Sequence, residues 1–220
     1  SKVLVEEAPR EWFIYSDGFA AGGSSNKGKR MLDMLAAFVL LFGTWPLMLV
    51  TIVAIKLEDG LHAPVIFRQK RVGLNGRVFD VLKFRSMSVD AESDGKARWA
   101  TTNDSRITRV GHVIRKLRID ELPQILNVLV GDMSLVGPRP ERPEFVRELS
   151  ESIPFFDKRH CVKPGITGWA QLNYPYGASK RDALHKLEYD LYYVKNRSLF
   201  LDCLVLLQTT EVILFGKGAR

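Results

Sequence analysis

The least even feature of the chain is a run of apolar positions at residues 31–55, MLDMLAAFVLLFGTWPLMLVTIVAI, interrupted by one charge, Asp33. At about 1.5 Å of rise per residue this run is long enough to cross roughly 30 Å of hydrocarbon as a helix. Two features argue against a plain span. Pro46 sits near the middle, after Gly43 and Thr44, where it removes a backbone donor and favours a bend. Both flanks are basic, with Lys27, Lys29 and Arg30 before and Lys56, Arg68, Lys70 and Arg71 after, whereas a single span carries its positive charge on one side. A re-entrant helix, broken near Pro46 and returning to the face it entered, accounts for both, and a kinked span stays open on the same residues. Carbonyls freed at the break need partners within lipid, and Thr44 is placed to supply one.

Beyond Gly60 the period shortens. PVIFRQKRV and RVFDVLKFRSM are β-prone runs separated by Gly73-Leu74-Asn75-Gly76, and Asn-Gly between such runs predicts a β-hairpin. Arg68 and Lys70 alternate onto one face of the first strand, and Lys83 and Arg85 onto one face of the second, which predicts a basic surface. Residues 107–140 read as helix, break, helix, break. Pro123 is tolerated only in a first turn, so a new helix is expected near Asp120, with that residue as its N-cap. Polar-faced helices are expected at residues 141–158 and 179–195. Residues 198–215 form an apolar helix interrupted by Asp202, Gln208 and Glu211, suited to an interface. Residues 18–29, GFAAGGSSNKGK, read as a linker, so the sequence divides into an extension at 1–29 and a domain at 30–220. The fold class expected is α+β, mainly helical, with a small hairpin and the re-entrant helix.

Composition changes this picture little. A chain of 220 residues with 46% apolar and 26% charged side chains is ordinary for one globular domain and excludes disordered and low-complexity classes. The mean hydropathy of −0.05 hides the apolar run. Ser1 in place of Met suggests a piece of a longer chain, and the run is too long and too far in for a secretory leader. Charge says more. The net +7 is concentrated after the apolar run, at residues 60–89 and 96–118, which implies an anionic partner: phosphorylated small molecules, anionic lipid or nucleic acid. Cys161 and Cys203 form no CxxC motif, and His62, His112, His160 and His185 show no metal-ligand spacing. Gly23, Gly28 and Lys29 mimic part of a phosphate-binding loop, but Arg30 replaces the required Ser or Thr and no strand precedes it.

The remaining candidate is Asp120-Glu121, with Arg115, Lys116 and Arg118 before it and Gly137-Pro138-Arg139-Pro140 after. Asp at an N-cap and Glu in a first turn are also ordinary helix chemistry. The same arrangement suits phosphoryl transfer, with helix N–H groups and arginines on the phosphate and a carboxylate kept ionised as nucleophile. Glycoside hydrolysis fits less well, because it needs two carboxylates facing each other across a sugar.

KRMLD at residues 29–33, RQKRVG, KFRSM, RIDELPQILNVLVGDMSLVGPRP and KPGITGWAQ together resemble the bacterial sugar transferase family, the monotopic polyprenol-phosphate phosphoglycosyl transferases. The ending, YDLYYVKNRSLFLDCLVLLQTTEVILFGKGAR, is similar to its exopolysaccharide, exosortase-associated branch, so the chain looks like the catalytic C-terminal part of such a protein. The resemblance implies transfer of a sugar-1-phosphate from a UDP-sugar to polyprenol (undecaprenyl) phosphate, through a covalent aspartyl-phosphosugar, at the cytoplasmic face of the bacterial inner membrane. It makes Asp120 the nucleophile and a ligand of Mg²⁺, and Glu121 its assistant toward the acceptor phosphate or the metal. It places Lys83, Arg85, Arg115 and Arg139 on phosphate, and Arg159, His160 and Lys163 on the nucleotide. Many relatives have Ser-Pro at the helix break where this chain has Trp45-Pro46. UDP-glucose or UDP-galactose is the sugar donor expected from the branch. An N-acetylated sugar and a homo-oligomer both stay open. A membrane-tethered nucleic-acid-binding module is the competing class, weakened by the acidic pair and by the few aromatics among the basic runs.

Overall fold

The computed structural model describes residues 1–5, 25–88, 104–175, 177 and 179–215. The apolar run becomes one helix, α1 (Ser25–Asp59), with Pro46 inside it. The break expected at Pro46 is therefore corrected: the helix is a single element through that residue. Thr44 does bond the backbone, donating to the Leu40 carbonyl at 2.7 Å. That is not the Phe42 carbonyl, whose usual donor four residues on is the one Pro46 lacks. Thr51 donates to Leu47 O at 2.8 Å in the same way, and such back-bonding bends helices rather than mending them. The helix also starts at Ser25, inside the expected linker, so Lys29 and Arg30 are helical; residues 6–24 lie outside the described residues. Residues 1–5 pack onto the domain, with Val5 buried and Val3 N–H donating to Glu188 O at 3.0 Å.

One stripe of α1 faces the body. Asp33, Ala37, Thr51 and Ile55 are buried, and Leu41, Thr44 and Met48 are partly so, at the three- and four-residue spacing of a helix face. The opposite flank is apolar and open, with Leu35 at 67%, Phe42 at 81% and Leu57 at 80% exposure. Only 11% of the most apolar stretch is buried, the reverse of a core helix in a water-soluble protein. Both ends are fastened to the same body. At the start, Lys29 reaches Val136 O at 3.2 Å and Asp202 at 2.8 Å, Arg30 bonds the Val128 and Leu129 carbonyls, and Asp33 accepts from Ser134 Oγ and Leu135 N–H at 3.0 and 3.1 Å. At the far end Ile55 packs with Phe84 and Ile114, and Glu58 accepts from Arg109 and Val110 N–H at 2.8 and 2.9 Å.

The hairpin forms as expected from β1 (Ile66–Val72) and β2 (Val78–Phe84), antiparallel. Asn75 and Gly76 take the positive φ of 53° and 76° that the tight connection requires. Then come α2 (Arg109–Lys116), a 3₁₀ turn at Ile119–Glu121, α3 (Gln124–Val130) and β3 (Ser134–Val136). After α4 (Pro143–Ser152) and a 3₁₀ segment at Phe156–Cys161, β4 (Gly165–Thr167) pairs with β3 in parallel. This second sheet has no counterpart among the sequence expectations. A Cβ on Gly165 would lie 2.1 Å from Gly137 N, so glycine is what lets the two strands meet. The chain continues through α5 (Trp169–Asn173), α6 (Lys180–Asn196), opened by a Ser179/Asp182 capping box, and α7 (Leu199–Phe215). The main core joins Ala37, Val81, Ile125, Val128, Leu135, Tyr193 and Val205 from six of these elements. Asn127 ties α3 to the hairpin, accepting from Leu82 N–H at 3.0 Å and donating to Asp80 O at 2.8 Å.

Candidate active site

Three segments converge on one carboxylate. β2 supplies Lys83, the 3₁₀ turn supplies Asp120 and Glu121, and the loop at residues 137–141 supplies Arg139. Glu121 accepts from Lys83 Nζ at 3.2 Å and from both terminal nitrogens of Arg139, with Arg118 Nη1 at 3.9 Å on the open side. Burial works against its charge, but Arg139 and Lys83 outweigh it and hold the Glu121 carboxyl far below the usual range. Lys83 is pulled down by burial and partly restored by Glu121, and Arg139 is held firmly as a cation by Glu121.

Asp120 is treated differently although it is the next residue. It is 9% exposed, and its carboxylate has no hydrogen bond or ion pair among the described residues. Burial and the Glu121 charge push it above the ordinary aspartate value, against the pull of Lys83, Arg115 and Arg118. One carboxylate is thus locked in its ionised form by its partners, and the other has no such partner among the described residues and is pushed toward its neutral form by burial.

The turn that displays the pair starts from Arg118, which sits at a left-handed φ of 59°. This is costly for a residue with a Cβ, of order 1 kcal/mol, and it directs Asp120 and Glu121 to different neighbours. The expectation that Asp120 caps a helix is corrected: α3 begins at Gln124 with Pro123 as its N-cap. The backbone N–H groups of Glu121, Leu122, Ile125 and Leu126 are all spent on nearby carbonyls. These four N–H groups are not free for a ligand, and the charge around the dyad comes from the side chains of Lys83, Arg115, Arg118 and Arg139.

The register Phe67↔Lys83 and Arg71↔Phe79 puts Arg71 on the face of Lys83, and Arg68 and Lys70 on the other, because directly paired residues share a face. Arg68 and Lys70 thus share a face as expected, and it is the face opposite Lys83. Arg71 was missed as a site residue. It donates to Pro140 O at 2.9 Å and to Gln69 Oε1, and lies 3.5 Å from Glu141. Pairing the strands about Asn75-Gly76 is the signal that reveals it. Arg85 is not brought to the dyad: its Nε donates to Pro64 O at 2.8 Å. Arg115 contributes charge near Asp120.

The three residues expected on the nucleotide separate. Arg159 turns inward, paired with Asp190 at 2.8 Å and donating to Arg139 O at 2.8 Å. His160 stands edge-on to Phe156, and burial and Arg159 push its imidazole down to about 4. Lys163 lies by Gly131 and Arg30, near the start of α1, where burial and Arg30 lower its ammonium. Among the described residues no three His, Cys, Asp or Glu side chains gather as a metal cage.

A family model described as bacterial sugar transferase matches residues 24–216. A UDP-N-acetylgalactosamine-undecaprenyl-phosphate N-acetylgalactosaminephosphotransferase of Aeromonas hydrophila is 53% identical over 87% of this chain and 45% of its own length. A UDP-glucose:undecaprenyl-phosphate glucose-1-phosphate transferase of Xanthomonas campestris pv. campestris is 44% identical over 87% of this chain and 40% of its own. An uncharacterised sugar transferase of Bacillus subtilis (strain 168), EpsL, is 44% identical over 87% of this chain and 90% of its own. The chain thus spans less than half the length of the first two.

Proposed function

The chain belongs to the bacterial sugar transferase family, and from that premise we propose that it transfers a sugar-1-phosphate from a UDP-sugar to undecaprenyl phosphate, with Asp120 as nucleophile. The observation that carries this reading is the contrast within the dyad. Asp120 is a buried carboxylate without a hydrogen-bond partner among the described residues, set in a field of cations beside a carboxylate that already has its partners.

A carboxylate oxygen of Asp120 attacks the β-phosphorus of the UDP-sugar, and the bond to the bridging oxygen breaks, releasing UMP and leaving an aspartyl-phosphosugar. An oxygen of the acceptor phosphate then attacks the same phosphorus, and the bond to Asp120 breaks, restoring the carboxylate. Arg115, Arg118 and the outer edge of Arg139 stabilise the charge gathered on the phosphate oxygens. Glu121 holds Lys83 and Arg139 in place. Asp120 is the carboxylate of the dyad left free to hold Mg²⁺; the nearby cations would oppose the ion until a diphosphate is bound, so it would take its other ligands from water and phosphate oxygens and would offset charge on the diphosphate.

α1 seats the site at the membrane. Its open flank enters the lipid, while its fastened ends keep the body on one side, so the helix is re-entrant in disposition and holds the dyad at headgroup depth on the cytoplasmic face of the inner membrane. The product would start an exopolysaccharide chain. The relatives from Aeromonas hydrophila and Xanthomonas campestris are named for UDP-N-acetylgalactosamine and UDP-glucose, and a panel of these two with UDP-galactose, followed by UMP release, identifies the donor. Asp120→Asn is expected to abolish both UMP release and a protein adduct of sugar-phosphate mass. Turnover retained by that variant removes the covalent mechanism.

A further inference from the structure

The loop at residues 137–141 contains Pro138 and Pro140, which have no N–H to offer a neighbouring strand. It is held by its carbonyls instead, four in succession, each by a different donor. Gly165 N–H reaches Pro138 O at 3.0 Å and Val72 N–H reaches Glu141 O at 2.9 Å. Arg159 Nη2 reaches Arg139 O at 2.8 Å, and Arg71 Nη1 reaches Pro140 O at 2.9 Å. Two of these donors belong to the backbone and are fixed by the sheets. The two arginine donors are only as fixed as their own partners make them.

Arg159 is the more deeply set. Its side chain is 6% exposed and that of Asp190 is 3% exposed, with 2.8 Å between them, and its guanidinium carbon lies 5.1 Å from the centre of the Phe156 ring. A buried pair of this kind is often no more stabilising than apolar residues of the same volume. Here the pair is also incomplete, because Arg159 Nε–H has no acceptor among the described residues. Stability alone is a poor account of it. What the pair does achieve is a connected path from α6: Asp190 to Arg159, Arg159 to the Arg139 carbonyl, and the Arg139 guanidinium to Glu121, beside Asp120.

We infer that the Arg159–Asp190 pair is a positioning device for Arg139, setting the residue whose guanidinium holds Glu121 and faces the phosphates. The inference rests on the site proposed above. Arg159 acts through Arg139 and touches no substrate. Its neighbours Lys186 and Glu141 also face Asp190, so the pair sits in a balanced charge environment. Glu121, at the other end, faces Lys83 from β2, Arg71 from β1, Arg139 from the loop, and Asp120 and Arg118 from its own turn.

One nitrogen of Arg159, Nη2, serves both Asp190 and the Arg139 carbonyl; Arg159→Lys keeps a cation for Asp190 on a shorter, flexible stem that does not hold its nitrogen at the place where both acceptors meet. In the full chain in lipid nanodiscs, this variant is expected to melt within about 3 °C of the parent and to release UMP roughly ten- to a hundredfold more slowly. The Arg139 signal of ¹⁵N-arginine-labelled protein should shift together with the rate, because the donor to the Arg139 carbonyl has been displaced. Asp190→Asn, which leaves Arg159 a hydrogen-bond acceptor, should lower the rate and shift that signal in the same direction by less. A rate loss with an unmoved Arg139 signal, or one that follows the loss of folded protein, overturns the inference, as does an unchanged rate. If the parent chain releases no UMP from any UDP-sugar, the functional reading fails instead. The positioning role is then decided by NMR of ¹⁵N-arginine-labelled protein: Arg159→Lys must weaken the Arg139–Glu121 pairing, and an unaltered Arg139 signal overturns it.

Discussion

Neighbouring side chains in this site differ through their surroundings rather than their chemistry. Glu121 is held below its ordinary pKa, so it contributes stability that is complete above the pH where a free glutamate ionises and is lost as the pH falls through its lowered folded value. Glu121→Gln leaves Lys83 and Arg139 facing a neutral amide, and should cost about 3 kcal/mol at neutral pH, read as a lowered melting temperature that converges on the parent's in acid. Asp120 has the opposite sign: its raised pKa means that ionising it costs stability, so Asp120→Asn should leave the fold as stable or slightly more stable at pH 7 while removing activity. A melting temperature that falls with Asp120→Asn would show that the carboxylate has a structural partner. The dyad and Arg139 were legible as residues from their motif. The division of labour between them was not, because it depends on which cations reach which carboxylate, and those cations come from strands and loops 18 to 38 positions away.

Elements were legible where their period is long and their punctuation strong. Asn75-Gly76 marked the hairpin, and the polar-faced helices fell close to α4 and α6. β3 and β4 were not visible, since three residues are too few to establish alternation and their pairing depends on Gly137 and Gly165 meeting across the fold. Pro46 was over-read: proline disfavours a helix interior by about 3 kcal/mol, but the flanking turns and the two docked ends keep α1 in one piece. The far end of α1 also completes another element. Glu58 accepts from the first N–H groups of α2 across 51 and 52 residues, adding to the local cap in which Thr108 Oγ1 accepts from Gly111 N–H at 2.9 Å. Glu58→Ala should lower stability by about 1 kcal/mol, and hydrogen exchange should quicken at Arg109 and Val110 before it quickens in α6. Uniform acceleration would assign Glu58 a different role.

On the scale of the molecule, Lys29, Lys83, Arg71, Arg139 and Arg159 each have an anionic partner within the fold, so the net +7 is carried by the other basic side chains. The open apolar flank of α1 offers the membrane a contact that does not depend on that charge, and association should rest mainly on it. Flotation with vesicles is expected to persist in 1 M salt, where surface charges are screened within roughly 3 Å, and to weaken when Phe42 is replaced by Asp. Release by salt alone would make the contact electrostatic.

The fastening of Lys29, Arg30 and Asp33 has a practical corollary. Deleting the helix to obtain a water-soluble enzyme would strip the acceptor from Ser134 Oγ and Leu135 N–H, uncover the Val128 and Leu129 carbonyls, and open the core beside Ala37. α1 is a beam of the building as well as its mooring, so a soluble version has to be made by repainting its outer flank with polar side chains while the inner stripe and the KRMLD corner stay untouched.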